Sequence, residues 1–109
     1  MILRIAPVLL LLAACGPQAP DPAAQGAALA EARCAACHAV GRTGASPRAN
    51  APAFRDLHRR YPVDQLAESL AEGIVTGHPD MPEQSFSAEE VEALIAHLRS
   101  LERQAGTSP

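Results

Sequence analysis

The chain has 109 residues, with twelve carboxylates against nine basic residues, all of them arginine, and a net charge of −3 at neutral pH. That balance excludes a nucleic-acid binder, which neutralises phosphates with a basic surface. With no tryptophan, one tyrosine (Tyr61), two phenylalanines (Phe54 and Phe86) and many alanines, its core is short of large side chains. Small domains of this kind need a disulfide, a metal, a cofactor or a partner to complete them.

Residues 1–14, "MILRIAPVLLLLAA", carry Arg4 and then an almost unbroken apolar run from Ile5 to Ala14. This is the pattern of a secretory leader whose apolar core is too short to span a membrane as a mature helix. Its end, "LAAC" from Leu12 to Cys15, resembles the lipobox of bacterial lipoproteins. The resemblance implies that Cys15 becomes the first mature residue and carries lipid. In that family an aspartate after the lipidated cysteine retains the protein in the inner membrane, and Gly16 stands there instead, so the resemblance implies the outer membrane slightly over the inner. The alternative is cleavage near Ala14 and a soluble periplasmic protein. Residues 15–25 then read as the lipidated cysteine and a Pro/Ala-rich tether, 26–102 as one domain, and 103–109 as a disordered tail.

Four helical segments follow, with no convincing strand. The first runs from Pro22 or Gln25 to Cys37, where alanine and glutamate favour helix. The second is short, from Ala53 to Arg60. The third runs from Val63 to Glu72, with Val63, Leu66, Ala67 and Leu70 on one side and Gly73 as its stop. In the fourth, Ser87 and Glu90 make a capping box, with Phe86 and Val91 at the staple positions. Val91, Leu94, Ile95, Leu98 and Leu101 then recur down one face, and the helix is expected to end near Gln104. Two Gly/Pro-rich loops, "HAVGRTGASPRANAP" and "EGIVTGHPDMPEQSF", separate the helices, and loops of that length in a small helical domain need something to wrap.

The motif that carries chemistry is Cys34-Ala-Ala-Cys37-His38. A thioredoxin-like dithiol would start a helix after a strand, whereas these cysteines end one with no strand before them. A zinc site needs four ligands, which His58, His78 and His97 would have to complete, and no second spaced pair is present. The third reading is covalent haem, for which C-x-x-C-H is the attachment signal. Each thiolate adds to a vinyl group, and the histidine is held under the iron.

Residues 26–102 resemble a class I c-type cytochrome of the small single-haem kind found in bacterial envelopes. Cys34, Cys37 and His38 match its haem-binding motif, and Met81, followed by Pro82, matches its distal ligand. Pro52 in "NAPAF" matches the proline whose carbonyl accepts the proximal imidazole N–H. Gly26 matches the glycine that lets the first helix cross the last closely. The resemblance implies an all-α, cytochrome c-like fold, four short helices wrapped around one covalent haem c. His38 and Met81 are then the iron ligands, with His78 the alternative distal ligand. Three positions depart from the pattern or carry a histidine with no assigned role. His97 stands where an aromatic residue is usual and reads as a packing residue. Phe54 replaces a leucine, and His58 reads as a surface residue between arginines.

A six-coordinate iron leaves no position for a substrate, so the expected function is outer-sphere electron transfer rather than catalysis. The expected partners are redox proteins (an oxidase, a reductase or a dehydrogenase) and the membrane, reached through the lipid, with the protein itself a monomer facing the periplasm. The alternatives are a haem-based small-ligand sensor, should Met81 be replaceable, or a dedicated subunit of one oxidoreductase complex. Charge is segregated along the chain. Arg42, Arg48, Arg55, Arg59 and Arg60 face only Asp56, while eight carboxylates from Asp64 to Glu92 meet no arginine. Such a dipole would steer docking on a partner of complementary charge.

Overall fold

A computed structural model describes residues 15–73 and 80–106. The leader, the stretch 74–79 with His78, and residues 107–109 lie outside the described residues. Every regular element among the described residues is helical. Helix α1 spans Pro22–Arg33, α2 spans Leu66–Glu72 and α3 spans Ala88–Ala105. A 3-10 segment covers Phe54–Arg59, and a shorter one, Val63–Gln65, runs directly into α2. This is the all-α architecture expected, with the second segment tightened to 3-10 geometry. None of the described helices is long and apolar enough to cross a membrane.

The ends of the helices follow local chemistry. Asp21 caps α1, accepting from the Ala23 N–H at 3.3 Å, and Pro22 occupies the first turn, where its missing donor costs nothing. The helix was expected to reach Cys37, but it stops at Arg33, because Cys34 leaves helical geometry at φ −124°. The Cys34 and Ala35 N–H groups both bond to the Ala30 carbonyl, at 2.8 and 3.1 Å. A separate turn follows, in which Cys37 and His38 donate to the Cys34 carbonyl at 3.2 and 3.0 Å. The cysteine pair thus sits on a turn beyond the helix, not within it. Gly73 ends α2 at φ +98°, a conformation that L side chains adopt only with strain. At α3 both halves of the capping box form, and the helix ends one residue past Gln104.

Helix α1 lies across α3 at closest approach. A β-carbon on Gly26 would stand 1.8 Å from the Ala93 carbonyl oxygen and 2.9 Å from the His97 Cβ. Only glycine fits there. The close crossing buries Ala30 completely and brings Leu94, Ile95, Leu98 and Leu101 of α3 into the core with Val63, Leu70 and Phe86. Leu29, Val40, Phe54, Leu57 and Leu66 pack against this core but keep part of their surface open.

Gly26→Ala gains helix propensity but forces the two backbones apart, and the second effect wins. The variant is expected to lose about 3 kcal/mol, a fall in melting temperature of roughly 15 °C, measured by thermal denaturation of the haem-loaded protein.

Candidate functional site

The loop that follows the motif folds back upon it. Arg48 N–H donates to the Cys37 carbonyl at 3.1 Å, Ala39 N–H donates to Ser46 Oγ at 3.0 Å, and Phe54 N–H donates to the Ala39 carbonyl at 2.9 Å. These three bonds bring Pro52 to the imidazole. His38 Nδ1 lies 2.7 Å from the Pro52 carbonyl oxygen. Because a carbonyl only accepts, that ring nitrogen carries the proton, and Nε2 is left with its lone pair free. The Phe54 ring stands beside the imidazole, centroids 5.1 Å apart at 49°, and restricts its rotation. Phe54 therefore does more than fill a leucine's volume.

Cys34 and Cys37 are unpaired thiols, both half-buried. Burial pushes the Cys34 thiol above the ordinary thiol range, against the smaller opposing pull of the Arg33 guanidinium beside it. Cys15 is exposed on an irregular stretch that leads into α1.

Met81 is half-buried in the segment between α2 and α3, and its neighbours are tied to the motif. Arg48 reaches Asp80, donating to its carbonyl at 3.4 Å and lying 3.9 Å from its carboxylate. On the other flank Gln84 Nε2 donates to the Arg33 carbonyl at 3.1 Å, and Arg33 donates to the Ser85 carbonyl at 3.2 Å. The Phe86 N–H donates to the Leu70 carbonyl at 3.1 Å, which anchors the segment to α2. Cys34, Cys37, His38 and Pro52 thus form one assembly, and the chain around Met81 is drawn to it. The alternative ligand, His78, lies outside the described residues.

His97 is buried, and its Nε2 lies 2.7 Å from the Val40 carbonyl. It is a packing residue that also ties α3 to the loop after the motif. That bond engages one of the nitrogens a zinc site would need, and among the described residues no three of His, Cys, Asp and Glu gather as metal ligands. His58 is partly covered in the 3-10 segment rather than fully at the surface. Sequence reasoning missed Arg33, Arg48 and Gln84. Their only local signal is charge or polarity beside a motif or loop.

The residues fit a haem. Two free thiols and an imidazole with Nδ1 already engaged and Nε2 free form the donor set, and half-open apolar side chains (Val40, Phe54, Leu57, Leu66) offer contact surface. Haem also brings carboxylates. Arg55 donates through Nη2 to the Gly44 carbonyl at 2.7 Å, while its Nη1 is buried with no acceptor in the protein.

A small all-helical fold with this donor set defines a covalent haem protein. Residues 21–98 match the family described as cytochrome c oxidase, cbb3-type, subunit III. The chain belongs to that family of c-type cytochromes. It is also 37% identical over 79 residues to cytochrome c-552 of Bradyrhizobium diazoefficiens, covering 72% of this chain and 74% of that one. No solved structure matches. Membership of the family makes haem c, covalently bound, the cofactor, and single-haem electron transfer the activity.

His97→Leu keeps the side-chain volume but strips the Val40 carbonyl of its donor. It is expected to lower stability by about 1–2 kcal/mol, read as a shift in the denaturant midpoint with an unchanged slope.

Proposed function

We propose that this protein is a lipid-anchored electron carrier facing the periplasm, in which His38 and Met81 are the axial ligands of one haem held by Cys34 and Cys37. The observation that carries the reading is the 2.7 Å contact between His38 Nδ1 and the Pro52 carbonyl. It fixes the tautomer in which Nε2 is the metal-binding nitrogen, raises the basicity of the imidazole and prevents the ring from turning away. When bound, the haem supplies a reversible one-electron Fe(III)/Fe(II) couple. Phe54 holds the imidazole plane and helps keep water from it, and Arg55 offers its buried donor to a carboxylate of the ring. Met81 as second ligand favours the reduced state relative to a second imidazole, and it leaves no coordination position for a substrate. The chain's part in the reaction would therefore be to hold both ligands still around the bound haem.

The redox partner is proposed to be an oxidase, a reductase or a dehydrogenase of the same membrane system. The matched family carries the name of an oxidase subunit, which supports a terminal oxidase among these. It also supports a second reading, a dedicated subunit of such a complex. Detergent extraction separates the two, since a free carrier leaves the oxidase on the first column and a subunit travels with it. Cys15, exposed at the head of the tether that leads to α1, supports the lipid anchor.

Two experiments test these assignments. Met81→Ala is expected to lose the weak long-wavelength Met–iron absorption band, to bind carbon monoxide readily and to lower the potential, while retaining its colour in acidic acetone. An unaltered spectrum would sink Met81 and turn attention to His78. Cys15→Ser is expected to move the haem protein from the membrane to the soluble fraction, judged by haem-stained gels of both fractions. Persistence in the membrane would refute the anchor.

A further inference from the structure

Two arginines, each rooted at one end of the thiol–imidazole motif, bracket Met81. Arg33 directly precedes Cys34. It donates to Glu90 Oε2 at 3.1 Å and to the Ser85 carbonyl at 3.2 Å, and its guanidinium carbon lies 4.0 Å from the Phe86 ring centroid. Its own carbonyl accepts from Gln84. Arg48 is rooted by its backbone N–H on the Cys37 carbonyl and reaches Asp80, the residue before Met81. From this geometry we infer that Arg33, seconded by Arg48, is a positioning residue that keeps Met81 on the haem iron and sets how readily an outside ligand replaces it. The inference rests on the reading of Met81 as the distal ligand.

The described segment from Asp80 to Ser87 contains no helix, so its own backbone does little to hold a ligand in place. The two arginines supply the missing restraint unequally. The Arg33–Glu90 pair is only 34% and 39% exposed, and Arg33 also meets a carbonyl and an aromatic face. Several bonds made by one planar guanidinium resist both salt and side-chain motion. Glu90 is itself locked, since its other oxygen accepts from the Ser87 N–H in the α3 cap. Arg48 and Asp80 are 45% and 62% exposed at 3.9 Å, a contact that ordinary salt screens. Arg33 therefore dominates, and Arg48 contributes only at low ionic strength.

The test uses the haem-loaded protein and the variants Arg33→Gln, Arg48→Gln, Glu90→Gln and Met81→Ala. Imidazole uptake by the ferric protein is followed by stopped flow at low and high salt, and amide hydrogen exchange is read along the chain. Arg33→Gln is expected to speed imidazole uptake about tenfold at both salt concentrations. Exchange should quicken at the Phe86 amide and its neighbours, while the α1–α3 crossing stays protected. Glu90→Gln, which leaves α1 and the motif untouched, should give a smaller rise of the same kind. Arg48→Gln should give about a twofold rise at low salt and none at high salt. If Met81→Ala loses the Met–iron band but Arg33→Gln and Glu90→Gln take up imidazole at the unmutated rate, the inference falls alone. If the band survives in Met81→Ala, the ligand reading falls and takes the inference with it.

Discussion

The contact between Gly26 and the Ala93 carbonyl is the constraint on which the rest of the structure depends. Because no side chain stands at position 26, α1 and α3 meet backbone to backbone, and everything functional hangs from their ends. The motif follows the last turn of α1. The segment with Met81 leads into the first turn of α3, where Glu90 receives Arg33 from the end of α1. One turn from the crossing, His97 reaches the loop after the motif. A shift of one helix on the other would move both proposed iron ligands relative to each other. The proposed ligand pair, borrowed from two distant parts of the chain, is held in register by this close crossing.

Much of this frame is legible in the sequence, for reasons that differ from element to element. Helix α3 is announced by Ser87 and Glu90 and by apolar steps of three and four, which are local signals that tertiary structure has no cause to override. Gly73 ends α2 through backbone freedom alone. The motif is legible by residue identity, and the role of Pro52 through family resemblance, since nothing in the spacing of positions 38 and 52 announces a 2.7 Å contact. What is not legible is the wiring. Arg33 meets Ser85 across 52 residues and Arg48 meets Asp80 across 32, and no periodicity encodes a partner at that distance. The end of α1 at Arg33 is equally hidden, because alanines on both sides of Cys34 read as helix.

The same wiring revises the reading of charge. Along the chain, arginines gather between positions 42 and 60 and carboxylates between 64 and 92, which suggests two oppositely charged faces. In space part of that contrast is spent internally. Arg48 pairs with Asp80, Arg99 with Asp64, Arg33 with Glu90 and Arg59 with Asp56. Sequence asymmetry therefore overstates the dipole presented to a partner. Several of the charges that look like docking groups serve first to fasten loops and helices of the domain itself. The exposed Tyr61, which follows Arg59 and Arg60, keeps half of its surface open to solvent.

The incompletely closed core has a consequence beyond the site. Among the described core residues only Ala30 is wholly covered, and six apolar side chains around the cluster keep a face uncovered. A chain whose own side chains do not close over one another gains much of its stability from what it binds. Loaded copies would then outlast blank ones wherever a protease cuts transiently opened chains.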